Sequence, residues 1–426
     1  MTVKHTGLTA LTSVLVLASG AAGAQQLSIL IDNNPDTIAI TEALTAAYSA
    51  KNPGVSFDIE TRPGGGEGEN VVKTRLATGE MGDMFSYNAG ALLQALRPAR
   101  TLEPINDIPN FGAIFDSYIS TVSDPDGNVY GVPHKAAMGG GILYHVPTYE
   151  RLGLEIPLTW EAFMENNAVI AADGQVAPIA QTYRNPWTSQ LFILADYYNV
   201  QMQEPDFADR YTANEAKYAT TPAAMRGFEL LQQAYEAGYF NADFGAATYN
   251  DGLRMVALGE AAHYPMLTFA IAAIQQNHPD EQDDVGFFAQ PGDSADANGL
   301  TVWMPNGYFI SKDSAHIDIA KDFVNFIATP EACDVITESV GAGGPYLIEG
   351  CTLPDDVPTA VAGMLPYFEQ AGRTAPALEF LSPIKGPALE QLTVEVGSGI
   401  RDAQSAAALY DGDVAKQARQ LGLPNW

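Results

Sequence analysis

Strand and helix signals alternate near the start of this sequence, give way to a helix-rich block, and return near residue 290. A chain with that order leaves one lobe and comes back to it, so it must cross between lobes more than once. The first unit is clear. Leu27–Ile31 (LSILI) is a compact apolar run suited to a parallel strand buried on both faces. Asp32-Asn33-Asn34-Pro35 ends it, and a helix follows with Ile40, Leu44, Ala47 and Tyr48 on one face. Lys51-Asn52-Pro53-Gly54 stops that helix, after which Val55, Phe57 and Ile59 alternate as a second strand. This strand–helix–strand unit seeds a parallel sheet. Met84-Phe85 opens another strand, and Ser86-Tyr87-Asn88 falls at its carboxyl end, the edge where open α/β sheets hold ligands.

The middle of the chain reads differently. Thr159 caps a helix carrying Phe163 and Ile170, and helical spacing continues over 187–198, 223–237 and 249–258. Strand signals return at 262–264, 285–289 and 308–310, and a helix over 317–327 precedes a new start at Thr329-Pro330-Glu331. Beyond residue 345 the chain reads as helical. Between the two regimes, DGNVYGVPHKAAMGGGILYH (126–145) sets a proline and three glycines between two apolar strands. We read 130–138 as the first crossing between lobes, 288–292 as the second and 341–345 as the third. The N-terminal lobe is then 25–133 plus 292–341, and the C-terminal lobe 134–291 plus 342–426. The expected fold class is α/β, each lobe a mainly parallel sheet flanked by helices.

Composition narrows the partners. With 51 acidic against 21 basic residues, the formal charge of −30 repels phosphate backbones and anionic lipid surfaces, which excludes nucleic acid as an expected partner. Lys4 and His5 precede an apolar run from Leu8 to Ala18, and Ala22-Gly23-Ala24 supplies small residues for cleavage after Ala24. A signal peptide over 1–24 and an exported, unanchored mature protein are expected. No later run reaches the roughly 18 apolar residues a spanning helix needs. In an oxidising compartment Cys333 and Cys351 suggest one disulfide, closing a loop of about 19 residues and contributing roughly 3 kcal/mol in the chain-entropy model. No histidine or cysteine pair has metal-ligand spacing, so neither metal nor cofactor is expected.

Several stretches, taken together and in order, carry a resemblance. They are KNPGVSFDIE, TRLATGEMGDMF, DGNVYGVP, YHVPTYERLGLEIPLTWEAF, LGEAAHYPM, PNGYFISKDSAHIDIAKDFVNFIATPE and AALYDGDVAKQARQLGL. The chain resembles the extracellular solute-binding proteins of ABC importers, specifically the sugar-binding family that includes maltose-binding protein. The resemblance implies two α/β lobes joined by a multi-strand hinge, a ligand trapped between them, a periplasmic monomer, and delivery to membrane permease subunits. The sequence departs from the family pattern at Gly82, where proline commonly precedes the aspartate aligned with Asp83, and at His145, where asparagine is usual. Those departures bear on which sugar is bound, not on the fold.

Sugar recognition asks for aromatic faces against pyranose C–H faces and for polar groups that satisfy hydroxyls losing water. Trp187, in TYRNPWTSQ before a helix, sits where the family often places a ring in the cleft; its other reading is a core tryptophan. Trp160 reads as core, while Trp303 and Asn306 flank a turn that can line the cleft. Asn34 and Asn88 close two strands and are placed to bond hydroxyls, though asparagine also serves turns. Pro63–Asn70 (PGGGEGEN) reads as a glycine-rich loop without the lysine of a phosphate site, with Glu67 favoured over Glu69 as a ligand contact. Lys135, just past the hinge proline, reaches a hydroxyl or an acidic sugar, or is a surface lysine. Tyr264 is read as a ligand contact ahead of a core residue, and Gly343-Gly344 as a close backbone approach.

The reading is a binding protein, not an enzyme, that closes on a mono- or oligosaccharide. Two alternatives stand beside it: the same fold serving a polyamine or an organic anion, and an exported glycosidase. The latter needs two carboxylates at a fixed separation, for which Glu67 and Asp83 are the nearest acids.

Overall fold

Leu27, Ile29 and Ile31 are wholly buried because the strand that carries them, β1 (Gln25–Asp32), runs through the interior of a sheet. The computed structural model describes Met1, Thr2 and residues 25–426; the expected leader and its cleavage point after Ala24 lie outside the described residues. Helix Pro35–Lys51 returns the chain to β2 (Val55–Arg62), parallel to β1, and helix Gly65–Thr78 leads to β3 (Met84–Tyr87), parallel to β1 on its other side. Three parallel strands therefore end on one edge. After several short helical turns comes β4 (Gly131–Pro133), and then the chain leaves this sheet.

The second sheet is built around β5 (Met138–His145), which pairs antiparallel with β7 (Ala261–Leu267) on one side. On its other side lie β8 (Val285–Ala289) and β9 (Leu300–Trp303), end to end, while β6 (Ala177–Ile179) extends the sheet beyond β7. The chain then returns as β10 (Gly307–Ile310), inserted antiparallel between β3 and β4. A last strand, β11 (Thr374–Pro376), adds in parallel to β9, so the region after residue 345 is not wholly helical. Each sheet is thus parallel apart from one reversed strand, β10 in the first and β5 in the second.

Packing divides the chain in the same places. One core joins β1, β3 and β10 to helices Pro35–Lys51 and Ile317–Ile327, with Tyr48, Phe57 and Phe323 in mutual contact at 4.7–5.9 Å between ring centroids. The second sheet is covered on both faces: Ile142 packs with Phe163 and Phe288 on one, and the next residue, Leu143, with Tyr264 and Met266 on the other.

Two boundaries differ from the sequence reading. Residues 288–292 are not a crossing: β8 ends there still paired to β5, and Leu300 and Val302 pack in the second lobe's core. The return crossing lies at Met304–Asn306. The third crossing also falls later than 341–345. Tyr346, Leu347 and Ile348 are still in the first core and the Glu349 amide bonds to Ala113, whereas Val357 packs in the second lobe. The second reading failed because the β8–β9 connection stays on one sheet edge, which local turn signals do not distinguish from a crossing.

The glycine run has a steric cause. A Cβ on Gly139 would lie 2.9 Å from the Leu300 side chain, on Gly140 2.3 Å from the Trp303 ring, and on Gly141 2.3 Å from the Phe288 carbonyl. Side chains on β5 give way so that neighbours on β8 and β9 lie across it.

Cys333, on helix Pro330–Val340, is bonded to Cys351, tying down the segment that precedes the third crossing. Cys333→Ala/Cys351→Ala is expected to lower the stability of the first lobe by about 3 kcal/mol, read as an earlier midpoint in urea unfolding. Two free thiols titrating in the native protein would contradict the bond.

Candidate functional site

Because β1, β2 and β3 are parallel, their carboxyl ends open on one edge, and that edge faces the second lobe. The result is an interlobe cleft of about 1050 Å³, a figure that includes its open mouth, placed where open α/β sheets hold ligands. The first lobe contributes a polar wall from the strand ends: Asp32 closing β1 and Asn34 just past it, Arg62 closing β2, and Asn88 just after β3. The second lobe contributes an apolar one, with Trp187, Leu191, Phe269, Trp303 and Phe380.

The polar wall is held in place by its own backbone. Asp32 and Arg62 are cross-strand neighbours in register, yet each is engaged locally. Asp32 accepts from the Asn34 amide at 3.1 Å, and Arg62 donates through Nη1 to the Pro63 carbonyl and Nη2 to the Ser86 carbonyl, both 3.1 Å. Arg62 is 5% exposed, and its Nε finds no partner within the protein. The same holds for Oε1 of Gln190 on the opposite wall. Buried donors and acceptors left over in this way suit ligand groups that arrive with complementary hydrogen bonds.

The aromatic wall is equally fixed. Trp187 stands in the short turn Pro186–Gln190 and packs on Tyr249 at 5.2 Å and Phe269 at 6.1 Å between centroids. Trp303, at the end of β9, donates from Nε1 to Glu379 at 2.6 Å, and Glu379 is ion-paired to Lys385 at 2.9 Å. Burial opposes the charge on Lys385, but Glu379 and, farther off, Glu69 hold its pKa above the ordinary lysine value.

The lobes touch across the mouth. Helix Gly65–Thr78 begins without a side-chain cap, and its first residues lie on Trp187: a Cβ on Gly65 would sit 2.9 Å from Trp187 Cδ1. Gly65 also has φ of +66°, a conformation that costs other residues about 1–2 kcal/mol.

Of the residues singled out from sequence, the structure brings Asn34, Asn88, Lys135, Trp187, Trp303 and Asn306 to the cleft wall. Lys135 is not free to swing, since Nζ is bound to Asp36 at 2.5 Å and Thr37 at 2.7 Å. Four others lie elsewhere. Glu67 is exposed in the first turn of a helix rather than in a loop, and it is Glu69, two residues on, that faces the cleft. Tyr264 is 1% exposed, its hydroxyl bonded to Thr182 at 2.8 Å, because its side of β7 faces helix Tyr249–Ala257. Gly343 lines a smaller hollow behind Lys135, and Gly344 packs against the Ala137 carbonyl. The acids weighed for glycoside cleavage are not assembled: Asp83 is held by Ser28, Ser314 and His316, and Glu67 faces solvent.

Glu69 was the less favoured of the loop pair, and Asp32, Arg62, Gln190, Phe269, Glu379, Lys385 and Glu390 were missed. Arg62 had a signal, as the charged residue one strand over from Asp32. Glu379, Lys385 and Glu390 had none, since the third crossing alone brings them here.

The sequence model of the bacterial extracellular solute-binding protein family matches residues 33–332. The multiple sugar-binding protein of Streptococcus mutans serotype c is 24% identical over 359 residues, covering 81% of this chain and 82% of that protein. Among solved structures, a chitin oligosaccharide binding protein superposes with a TM-score of 0.77 at 21% identity, covering 94% of this chain and 99% of that one. The solute-binding protein RafE in complex with raffinose gives 0.74 at 22% identity, covering 93% and 99%.

Gly65→Ala is expected to hold the lobes apart, seen as a larger radius of gyration in X-ray scattering, and to lower stability by the ~1–2 kcal/mol of its left-handed backbone. An unaltered radius would mean that the Gly65–Trp187 contact yields freely.

Proposed function

The chain belongs to the bacterial extracellular solute-binding proteins, and from that premise we propose that it captures a sugar between its lobes and delivers it to the membrane subunits of an ABC importer. The observation that carries this reading is the division of labour in the cleft. The hydroxyl-satisfying groups Asp32, Asn34, Arg62 and Asn88 stand on one lobe, and the rings of Trp187, Phe269 and Trp303 on the other. A pyranose has an apolar C–H face and a rim of hydroxyls, so neither wall alone satisfies it. Only closure brings both to the ligand.

Closure therefore couples to binding. A ligand with differential affinity for the shut form shifts the balance toward it, a hinge mechanism for which periplasmic binding proteins are a standing illustration. The mature protein works outside the cytoplasmic membrane as a monomer, released by cleavage after Ala24; no helix among the described residues is long and apolar enough to cross a membrane. The sugar is held and handed on unchanged. Neighbours described in complex with raffinose and stachyose, and others described with β-D-galactopyranose and α-D-tagatose, support a sugar of one or more rings.

A thermal-shift panel of mono- and oligosaccharides, including raffinose, stachyose and chitin oligomers, tests this. A ligand at a hundred times its Kd stabilises by about 2.7 kcal/mol. Trp187→Ala is expected to weaken the best sugar about tenfold, equivalent to roughly 1.4 kcal/mol, without lowering the unliganded midpoint. A shift with polyamines or organic anions and none with any sugar would overturn the reading.

A further inference from the structure

We propose that Glu390 is a proton-sensitive latch across the cleft mouth, its carboxyl group meeting the uncapped N-terminus of helix Gly65–Thr78 and the Glu69 carboxylate only when the lobes are shut. This rests on the closure reading above but does not depend on which ligand is bound. Glu390 belongs to helix Leu389–Gly397 of the second lobe, whose Leu389, Leu392 and Val396 are anchored in that lobe's core. Its side chain points the other way, into the cleft, where Glu69 of the first lobe also lies. A Cβ on Gly66 would be 3.4 Å from Glu390 Oε2, so the carboxyl group is seated against the opposite lobe's backbone. The turn Pro186–Gln190 packed beside it brings no charge; its Ser189 hydroxyl donates to the Glu390 main-chain carbonyl at 3.2 Å.

The charged groups acting on Glu390 come from both lobes. Burial raises its pKa above the ordinary glutamate value, the Glu69 charge adds to that, and Lys385, the Gly66 amide and Lys73 pull it down by less. Glu69 is itself paired with Lys73 at 3.3 Å. When the lobes part, Glu390 loses both its burial and its carboxylate neighbour, and its affinity for a proton falls to that of a solvated acid. The sign follows. The shut form binds the proton more tightly, so acidification favours closure. That advantage is complete below the open form's pKa and is lost as pH rises through the shut form's raised pKa.

X-ray scattering of the full mature chain without sugar, from pH 4 to pH 8, reads the latch directly. The radius of gyration is expected to fall on acidification in the unaltered protein. In Glu390→Gln, whose side chain stays neutral, it should stay at the compact value across the range. Glu69→Gln removes the opposing charge and should move the transition to lower pH, which tests the pair even if the first variant folds poorly. The same pH dependence in Glu390→Gln as in the unaltered protein, or none in either, would overturn the latch. A sugar found in the thermal-shift panel would survive that result. Conversely, a titrating latch with no sugar in the panel would leave the device standing and remove the ligand class.

Discussion

The molecule hangs on two chain segments that run side by side in opposite directions from one sheet into the other. β4 pairs with β10 on the first-lobe side, and the first residues of β5 pair with β9 on the second-lobe side. Between those ladders His134–Ala137 and Met304–Asn306 bridge the lobes, joined where the His134 amide donates to the Asn306 carbonyl at 3.3 Å. An antiparallel ribbon with its ladder broken at the midpoint is stiff to shear and soft to bending there. The surrounding groups brace each end. His134 is stacked on Tyr308 at 4.0 Å and kept neutral by burial and by the Lys135 charge, while the Ala137 amide bonds to Pro345 at 2.7 Å. Each sheet's single reversed strand is one of these crossing strands, so the hinge and the sheet topology are one feature.

From that ribbon the site follows. The crossings leave β4 and enter β10 at the same sheet edge where β1, β2 and β3 end, so the hinge forms the floor of the cleft and the strand ends form one wall. The opposite wall needs side chains that come late in the chain. Trp303 is locked by Glu379, and Glu379 by Lys385, both delivered by the third crossing. That crossing is steadied by the Cys333–Cys351 bond and by Ile348 in the first core. Neither wall is a complete site. The polar one keeps buried groups that closing must satisfy, and the aromatic one offers ring faces with few polar partners beside them, Gln190 Oε1 among them.

Legibility in the sequence tracks how local the cause is. The first strand–helix–strand unit, the caps at Thr159 and Thr329, and the core role of Trp160 rest on residues a few positions apart, and all are found. Asn34 and Asn88 were legible because strand ends of a parallel sheet share an edge. Tyr264 was misplaced because alternation along a strand says that faces differ, not which faces the cleft. The PGGGEGEN stretch read as a loop because glycine discourages helix, yet its small residues let a helix start press on Trp187, a contact 122 residues away from Gly65. Glu390 had no local mark at all.

Amide hydrogen exchange with and without a saturating sugar tests the central claim most directly, since it reads each lobe separately. Slowed exchange is expected together at Gly64–Glu69 and Asn88 on one lobe and at Trp187–Gln190 and Glu379–Glu390 on the other. Protection confined to one of the two lobes would contradict a site completed by closure.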